Sequence, residues 1–496
     1  MTPTPLGALA AGRGTVHGPD LAGEITVTGV TAGSAYVHSG DLFAALPGRS
    51  GHGAAFVPAA LAAGAVAVLT DEAGRAQLPG DVPVIVVPSV RDVLGEVAGQ
   101  VYGEPSRAMR MLGVTGTSGK TTTTFLVRAG LLAAGRVPGL IGTVATMIGA
   151  DEVKTGFTTP EAPELQALLA VMRERGVTDV AMEVSSHALA MGRVGGIRYE
   201  VAAFTNLSED HLDFHADMEE YFAAKASLFD PGRSERAVVV IDDVWGERLT
   251  EQVDVPVETV TTIGERRASW EVSAVADAPG GATTFRVVGP EVELETGCAI
   301  PGRYNVANAV LALALLREAG VAPEVAAPAV AAATVPGRME PIDAGQPYLA
   351  VVDYSHKPAA VAGALQALRP LTRGRLIVVL GCGGDRDRGK RPHMGEIAAR
   401  GADLLVVTDD NPRSEDPAVI RRAMLDGALA VPPGERGEVT EVGDRAAAIA
   451  AAVGAAAPGD TVLVAGKGHE TGQEIAGVIH PFDDRLVLRQ AIEARP

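Results

Sequence analysis

Glycine, lysine and threonine are concentrated in one short segment of the chain, from Gly113 to Thr122. An apolar run, Met109 to Val114, leads into it, and an apolar helical pattern follows from about Thr123. In this context glycines let backbone N–H groups face phosphates, a lysine adds positive charge, and a threonine hydroxyl can bind Mg²⁺. The common spacing would place a glycine where Val114 stands. The segment still predicts a nucleoside triphosphate site.

Acidic and imidazole side chains follow two further strand-like runs. Glu183 ends the run Asp179 to Glu183, and the polar stretch Thr205 to His215 follows another apolar run. A carboxylate at a strand end beside a phosphate loop can hold Mg²⁺. Taken singly, Glu183 or His211 is more often a cap or a solvated side chain, so the prediction depends on the grouping.

The last third of the chain has four strand-like runs that each end in a polar loop. Ligands in open α/β sheets bind at the carboxyl ends of strands, so these loops are candidate binding surfaces. The runs are Leu349 to Asp353, Leu376 to Leu380, Leu404 to Thr408 and Val462 to Ala465.

Strand-like and helical segments alternate along most of the chain, which favours an α/β fold with mostly parallel sheets. With 496 residues, about three domains are expected. The predicted domains are a mixed α/β domain (1–105), a central parallel-sheet domain (106–337) and a further α/β domain (338–496). Residues 257–299 suggest an antiparallel insertion, and 302–318 a helix.

Composition restricts the class of protein. The chain is 47% hydrophobic and 21% charged. It shows neither an uncharged apolar stretch of membrane-spanning length nor a leader pattern. No membrane partner is therefore predicted, and the cytoplasm is the expected compartment. A formal net charge of -19 disfavours nucleic-acid binding. The two cysteines, Cys298 and Cys382, are too isolated in sequence to indicate zinc or a disulfide framework.

Several blocks together resemble the Mur ligase family in order and spacing. The resemblance implies an N-terminal UDP-binding domain, a central ATPase domain and a C-terminal Rossmann-like domain that binds an amino acid. The blocks are Gly116 to Thr122, Glu183 to His187, Asn206 to Asp213, Tyr221 to Lys225, Gly302 to Ala309, Asp353 to Pro358 and Gly466 to Glu470.

The resemblance also implies roles for individual residues around ATP and Mg²⁺. Thr121 and Glu183 would bind the Mg²⁺ shared with ATP, and Glu183, His211 and Lys225 would organise a second ion. The lysine at this position is carbamylated in the family, so Lys225 is expected as N6-carboxylysine. Lys120, Glu183, His211 and Lys225 are the predicted catalytic residues. The predicted ATP-binding residues are Gly116, Thr117, Ser118, Gly119, Lys120, Thr121, Thr122, Asn305, Arg338 and Asp353.

Loops of the last third resemble those of family members that add the third residue of the cell-wall stem peptide. The form Asp410-Asn411-Pro412-Arg413 matches members that use meso-diaminopimelate, whose second carboxylate suits a bidentate arginine. Arg386 and Arg413 would bind that carboxylate. Asp410 and Glu470 would hold the distal ammonium, while Asn411 and Gly466 would add hydrogen bonds.

The resemblance implies that the other substrate is UDP-N-acetylmuramoyl-L-alanyl-D-glutamate. The predicted contacts to it are Ser34, Thr158, Thr159, Ser186 and Arg193. The chain departs from the family pattern at Gly33, Ala35, Met191 and Lys357, mostly near the expected uridine site.

An ATP-dependent amide ligase acting as a monomer through an acyl phosphate is therefore expected. Within enzymes, the alternatives are the lysine-adding synthetase and a folylpolyglutamate synthetase. Two alternatives are not enzymes of this kind: an ATP-dependent switch or binding module, and an inactive scaffold. Dependence of ATP hydrolysis on an amino acid separates a ligase from a switch.

Overall fold

The chain folds into two compact units in this computed structural model, which describes residues 2–19, 24–48, 51–153 and 158–495. The first unit comprises residues 1–261, 266–270 and 311–326, and the second comprises 262–265, 271–310 and 327–496. Two helices contribute residues to both units: α10 (Tyr304–Glu318) and α11 (Pro323–Ala332).

The first part of unit one is built around a five-stranded sheet in the order β2-β9-β8-β5-β4. Its apolar cluster packs the sheet against helices α1 and α4. Short paired strands, β1 with β3 and β6 with β7, lie outside this sheet. The elements are α1 (Leu6–Ala10), α2 (Val57–Ala62), α3 (Glu72–Arg75), α4 (Val90–Val101), β1 (Thr4–Pro5), β2 (Thr15–His17), β3 (Thr26–Val27), β4 (Gly29–Thr31), β5 (Asp41–Ala44), β6 (Pro47–Gly48), β7 (Gly51–His52), β8 (Ala67–Thr70) and β9 (Val84–Val86).

The rest of unit one contains the larger sheet run β13-β12-β11-β14-β10-β15-β16-β17, parallel from β11 to β17. Central strands are buried on both faces, which explains their continuous apolar sequences. The elements are β10 (Arg110–Thr115), α5 (Lys120–Ala133), β11 (Pro138–Ile141), β12 (Thr146–Ile148), β13 (Asp151–Val153), α6 (Ala162–Glu174), β14 (Asp179–Glu183), α7 (Ser186–Ala190), β15 (Tyr199–Phe204), α8 (Met218–Ala226), β16 (Ser234–Val240), α9 (Val244–Gln252) and β17 (Val257–Thr261).

Unit two contains an antiparallel run of strands, β18 to β20, and a six-stranded sheet in the order β21-β22-β26-β23-β24-β25. All neighbours in the six-stranded sheet are parallel except β21 with β22. The elements are β18 (Trp270–Asp277), β19 (Thr283–Gly289), β20 (Val292–Cys298), β21 (Glu340–Pro341), β22 (Leu349–Asp353), α12 (Pro358–Leu368), β23 (Leu376–Leu380), α13 (Lys390–Gly401), β24 (Leu404–Val407), α14 (Pro417–Ala430), β25 (Glu438–Glu441), α15 (Arg445–Ala455), β26 (Thr461–Ala465), β27 (Gly472–Ile475), β28 (Val478–Pro481) and α16 (Asp484–Glu493).

The strand register brings the predicted polar loops to common sheet edges. In unit one, Val114 pairs with Glu183, so the acidic end of β14 lies beside the start of the glycine-rich loop. In unit two, Ala465 pairs with both Asp353 and Leu380, so three loops begin at one edge.

Helices α13 and α14 pack backbone to backbone through two glycines. A Cβ atom at Gly395 would lie 1.9 Å from the Met424 carbonyl oxygen, and one at Gly427 would lie 2.0 Å from the Pro392 carbonyl oxygen. Neither position therefore has room for a side chain, because the obstructing atoms belong to the main chain.

The predicted α/β class with parallel sheets is confirmed, and most predicted strands lie within one or two residues of those observed. The antiparallel prediction for 257–299 was wrong at its start, because β17 pairs in parallel with β16. The three-domain division stays a prediction. In the described part of the chain, no helix is long and apolar enough to cross a membrane.

Candidate active site

The glycine-rich loop joins β10 to α5 and is shaped by two glycines. Gly116 has φ 145° and Gly119 has φ 89°, and a Cβ at Gly116 would lie 1.8 Å from the Thr205 hydroxyl oxygen. Helix α5 begins at Lys120, earlier than the predicted start near Thr123. The first-turn N–H groups of a helix have no partner within it. The loop therefore joins a helix N-terminus to glycine backbone, an arrangement suited to an anion.

Two lysine side chains converge on this loop. Lys120 Nζ donates to the carbonyl oxygens of Gly116 (2.8 Å) and Thr117 (2.9 Å), and Lys225 Nζ donates to the same Gly116 oxygen at 2.7 Å. Lys225, on α8, is 1% exposed. Burial, reinforced by the positive charge of Lys120, lowers the pKa of Lys225 well below its usual value. The environment of Lys225 therefore disfavours its charged form relative to that of an exposed lysine.

Glu183 is held at the end of β14 by a residue that the sequence did not indicate. Its Oε1 accepts a hydrogen bond from the Thr143 backbone N–H (2.8 Å), and its Oε2 accepts one from the Thr143 hydroxyl (3.1 Å). Thr159 also donates its hydroxyl to the Glu183 carbonyl oxygen at 3.0 Å. The carboxylate is thus buried and fixed in orientation.

An aromatic and imidazole cluster lies beside these groups. The His187 ring centroid is 4.8 Å from that of His211 and 4.1 Å from that of Phe214. His215 is buried and its Nε2 lies 3.0 Å from the Ser186 hydroxyl oxygen. Burial lowers the pKa of both His187 and His215, so these rings favour the neutral form.

The predicted metal ligands are Thr121, Glu183, His211 and Lys225. Glu183 offers a carboxylate and His211 an imidazole, whereas Thr121 offers a hydroxyl and Lys225 an amine. Among the described residues, no three His, Cys, Asp or Glu side chains converge on a point. A carboxylate and a threonine hydroxyl suit Mg²⁺, whereas a lysine amine does not. With Lys225 as a carbamate, Thr121, Glu183 and Lys225 would each offer oxygen atoms, which are the ligands that Mg²⁺ prefers.

The predicted contacts to the UDP-linked substrate lie in two places within unit one. Ser34 is in the 3-10 turn Ser34–Tyr36 after β4. Arg193 Nη2 lies 2.6 Å from Glu161 Oε1, and its Nη1 donates to the Thr159 carbonyl oxygen at 3.3 Å. Thr158 Oγ1 lies 3.0 Å from Thr143 Oγ1, so Thr158 and Thr159 adjoin Glu183. Arg193 is consequently engaged by an acidic side chain.

In unit two, the predicted nucleotide-binding residues are held by local hydrogen bonds. Asp353 Oδ2 accepts from the Met339 N–H at 2.8 Å, and its Oδ1 accepts from Ser355. The Arg338 guanidinium lies over the Tyr354 ring, 4.5 Å from its centroid. On α10, Asn305 donates from Nδ2 to the Pro301 carbonyl oxygen, and its Oδ1 accepts from Asn308 Nδ2.

The predicted amino-acid site centres on the loop after β24. Asn411 Oδ1 accepts from Lys467 Nζ at 2.9 Å, and Asn411 Nδ2 donates to Glu470 Oε2 at 2.8 Å. Arg413 has φ 53° and donates from Nη1 to the Gly384 carbonyl oxygen at 2.7 Å. Asn411 thus contacts two residues of the loop after β26, which lie 56 and 59 positions away in sequence. The Arg413 contact ties the loop after β23 to the same site.

Asp410 and Gly466 adjoin this network, whereas Arg386 does not enter it. A Cβ on Gly466 would lie 2.6 Å from Asp410 Oδ2. Arg386 is exposed on the loop after β23. Of the two arginines predicted to bind the carboxylate, Arg413 is the one whose guanidinium is hydrogen-bonded within this network.

Hairpin β27–β28 covers the same loop and was not predicted. The Gln473 side chain donates to the Asp410 carbonyl oxygen at 2.7 Å, and the Glu474 N–H donates to Asn411 Oδ1 at 3.0 Å. The Arg413 N–H also donates to the Glu474 carbonyl oxygen at 3.0 Å, and Arg413 Nε lies 3.4 Å from Glu474 Oε2.

Two ion pairs stabilise the loops of this site. Arg445 and Asp484 are fully buried and form a bidentate pair at 2.7 Å, and Arg445 Nη2 also donates to the Ala465 carbonyl oxygen at 2.9 Å. Arg391 pairs with Glu415 at 2.8 Å, and its hydrogen bond holds the pKa of that carboxyl down at about 2.

No individual role was predicted for Thr143, His215, Lys467 or Glu474. Two of them carried a signal: Lys467 stands between two glycines in the block Gly466 to Glu470, and His215 ends the polar stretch Thr205 to His215. The others lie in separate elements, and only the folded chain brings them to the predicted residues.

Three family models match the chain and together cover most of it. They are "Mur ligase family, catalytic domain" at residues 26–102, "Mur ligase middle domain" at 114–316 and "Mur ligase, glutamate ligase domain" at 337–468.

Individual proteins match over almost the full chain. Proteins named UDP-N-acetylmuramoyl-L-alanyl-D-glutamate--2,6-diaminopimelate ligase are 54% identical in Streptomyces avermitilis, covering 99% of this chain and 97% of that one, and 53% identical in Corynebacterium efficiens, covering 96% and 92%. A solved structure with the same name has a TM-score of 0.74 and 31% identity, and the match covers 100% of this chain and 99% of that one. The predicted family is therefore confirmed: the chain belongs to the Mur ligase family of ATP-dependent amide ligases.

Proposed function

We propose that this chain uses ATP to join meso-diaminopimelate to the D-glutamate of UDP-N-acetylmuramoyl-L-alanyl-D-glutamate, a step in peptidoglycan precursor synthesis. The observation that carries the proposal is the loop from Gly116 to Thr122, where backbone N–H groups at the start of α5 adjoin Lys120. Relatives at 51–54% identity bear the name of this activity.

The reaction would proceed in two steps. The γ-phosphoryl group of ATP passes to the γ-carboxylate of the D-glutamate, which gives ADP and an acyl phosphate. The amine of diaminopimelate then attacks the acyl carbon, loses a proton, and the tetrahedral intermediate expels phosphate. Lys120 would stabilise charge on the transferring group, and the protein's main contribution is positioning and electrostatics.

Mg²⁺ is part of the proposal and would neutralise phosphate charge when bound. Thr121 and Glu183 would hold the ion shared with ATP, and Glu183, His211 and a carbamylated Lys225 would hold a second one. The Thr143 contacts fix the Glu183 carboxylate before any ligand binds. An unprotonated amine is the form that reacts with carbon dioxide, and the lowered pKa of Lys225 increases the fraction in that form.

The choice of amino acid is supported by the loop after β24. Arg413 is held there by Gly384 and by hairpin β27–β28, and its side chain is about a quarter exposed (23%). An arginine suits a planar carboxylate, and L-lysine lacks the second carboxylate of diaminopimelate. We further propose that the enzyme acts as a monomer in the cytoplasm, where ATP is available.

ADP release tests the proposal. Purified protein is supplied with ATP, Mg²⁺ and UDP-N-acetylmuramoyl-L-alanyl-D-glutamate, and meso-diaminopimelate or L-lysine is added separately. We expect release that depends on diaminopimelate and is abolished by Lys120→Ala. Arg413→Ala should raise the KM for diaminopimelate by about tenfold or more, because an ionic hydrogen bond contributes about 1.5–3 kcal/mol. Release that ignores the amino acid would indicate an ATP-dependent switch, and release that depends on lysine would reassign the substrate.

A further inference from the structure

Lys467 is a cationic side chain in a place where charge is unfavourable. It follows β26, stands between Gly466 and Gly468, and is 0% exposed. Burying an ammonium group is costly unless it is paired and hydrogen-bonded. Its Nζ donates to Asn411 Oδ1 at 2.9 Å and lies 3.0 Å from Glu470 Oε2. Glu470 is therefore the countercharge that allows Lys467 to remain buried.

The same contacts fix the orientation of the Glu470 carboxylate. Asn411 Nδ2 donates to Glu470 Oε2 at 2.8 Å, so Oε2 receives both Lys467 and Asn411. Asn411 is itself fixed because its Oδ1 also accepts from the Glu474 N–H. The three side chains form a closed ring: Lys467 to Asn411, Asn411 to Glu470, and Glu470 to Lys467. Glu470 nevertheless keeps a third of its side chain exposed (33%).

We propose that Lys467 is a positioning residue: it clamps Oε2 of Glu470 so that Oε1 is presented to the distal ammonium of the incoming amino acid. The identity of that amino acid rests on the proposed function. Two effects of removing Lys467 oppose each other. The carboxylate would attract an ammonium more strongly without a neighbouring cation, but its side chain would be free to rotate into solvent. The closed ring indicates that preorganisation is the larger effect.

Lys467→Met tests the proposal, because methionine retains an unbranched stem and removes the ammonium. ADP release is measured against meso-diaminopimelate at saturating ATP and UDP-linked substrate. We expect the KM for diaminopimelate to rise by about tenfold or more, as loss of preorganisation weakens binding. The KM for ATP should not change, and kcat at saturating diaminopimelate should be retained. Arg422→Met is the matched control, since Arg422 is an exposed α14 side chain paired with Asp426 at 2.8 Å.

A double-mutant cycle separates positioning from a general structural role. If Lys467 acts through Glu470, then Lys467→Met should add little to the KM already raised by Glu470→Gln. Thermal melts check that each variant is folded. Should Lys467→Met fail to fold, Lys467→Gln keeps a donor in the ring without the charge and is carried through the same cycle.

The outcomes are distinct. A folded Lys467→Met protein whose KM for diaminopimelate is unchanged or lower, or effects that add fully in the cycle, would overturn the positioning role. Wild-type protein that releases no ADP with diaminopimelate would instead overturn the proposed function.

Discussion

At the scale of single residues, the central feature is that Lys120 and Lys225 donate to one carbonyl oxygen, that of Gly116. Two ammonium groups so close would repel each other, and Lys225 is also buried. Both effects depress its pKa, burial being the larger. The phosphate loop is thus flanked by two lysines, and the charged form of the buried one, Lys225, is disfavoured.

A neutral Lys225 should form a carbamate with carbon dioxide. Because burial and the charge of Lys120 lower its pKa, a larger fraction of this amine is unprotonated at a given pH than for an exposed lysine. We expect a carbamate carbon resonance by NMR when the protein is equilibrated with ¹³C-bicarbonate. Lys225→Met should lack the resonance, and removal of carbon dioxide should reduce ADP release. A spectrum identical for both proteins would contradict the modification.

The two free cysteines should be inert in the folded protein. Burial raises the pKa of Cys298 to about 11 and that of Cys382 to about 12, so the thiolate is scarce at pH 8. We expect neither thiol to react with a colorimetric thiol reagent at pH 8 until denaturant is added, when both should react. Rapid labelling of the native protein would contradict this, and Cys382→Ser identifies which thiol is responsible.

At the scale of elements, the fully buried pair Arg445–Asp484 ties α15 to α16 and reaches the end of β26. Breaking one side of a buried pair leaves an uncompensated charge and typically costs about 3–5 kcal/mol. Arg445→Met should therefore lower the free energy of unfolding by about that amount in chemical denaturation.

The matched control for that prediction removes both charges. Arg445→Met combined with Asp484→Leu leaves no unpaired ion, so it should recover much of the lost stability. If the double variant were no more stable than the single one, the loss would stem from packing or from the Ala465 contact and not from the unpaired carboxylate.

What the sequence could predict depended on how locally each element is determined. Strands β22 and β23 were predicted at their observed bounds because strands covered on both faces are continuous apolar runs. The loop 116–122 could also be predicted, because its residues are consecutive in the sequence. Thr143 and hairpin β27–β28 could not be predicted as parts of the sites, because their contacts join segments 40 and 63 positions apart.

At the scale of the whole molecule, each compact unit is assembled from several separate segments of the chain, whereas a hydrophobic core can come from one continuous stretch. Among the described residues, one apolar cluster on the six-stranded sheet is drawn entirely from the stretch Ile342 to Ile492. The cluster of the five-stranded sheet, by contrast, also includes Ala162 and Ala170 of α6. A core contained in one stretch of chain is what an independently folding domain requires.

A fragment of residues 338–496 should consequently fold by itself. We expect cooperative thermal unfolding and a near-UV circular dichroism signal, because the fragment retains the whole cluster and all six strands. A fragment of residues 358–496 lacks β22 and should not give a cooperative transition. Failure of the longer fragment to unfold cooperatively would contradict a domain boundary near residue 338.

The glycine contact between α13 and α14 makes the enzyme sensitive to substitutions at two positions that no ligand is predicted to contact. Any substitution at Gly395 or Gly427 places an atom against a main-chain oxygen, and the helices must separate. Helix α13 carries Arg391, whose partner Glu415 anchors the loop after Asn411. Substitutions at either glycine should therefore lower both the melting temperature and the activity without altering a residue predicted to contact substrate.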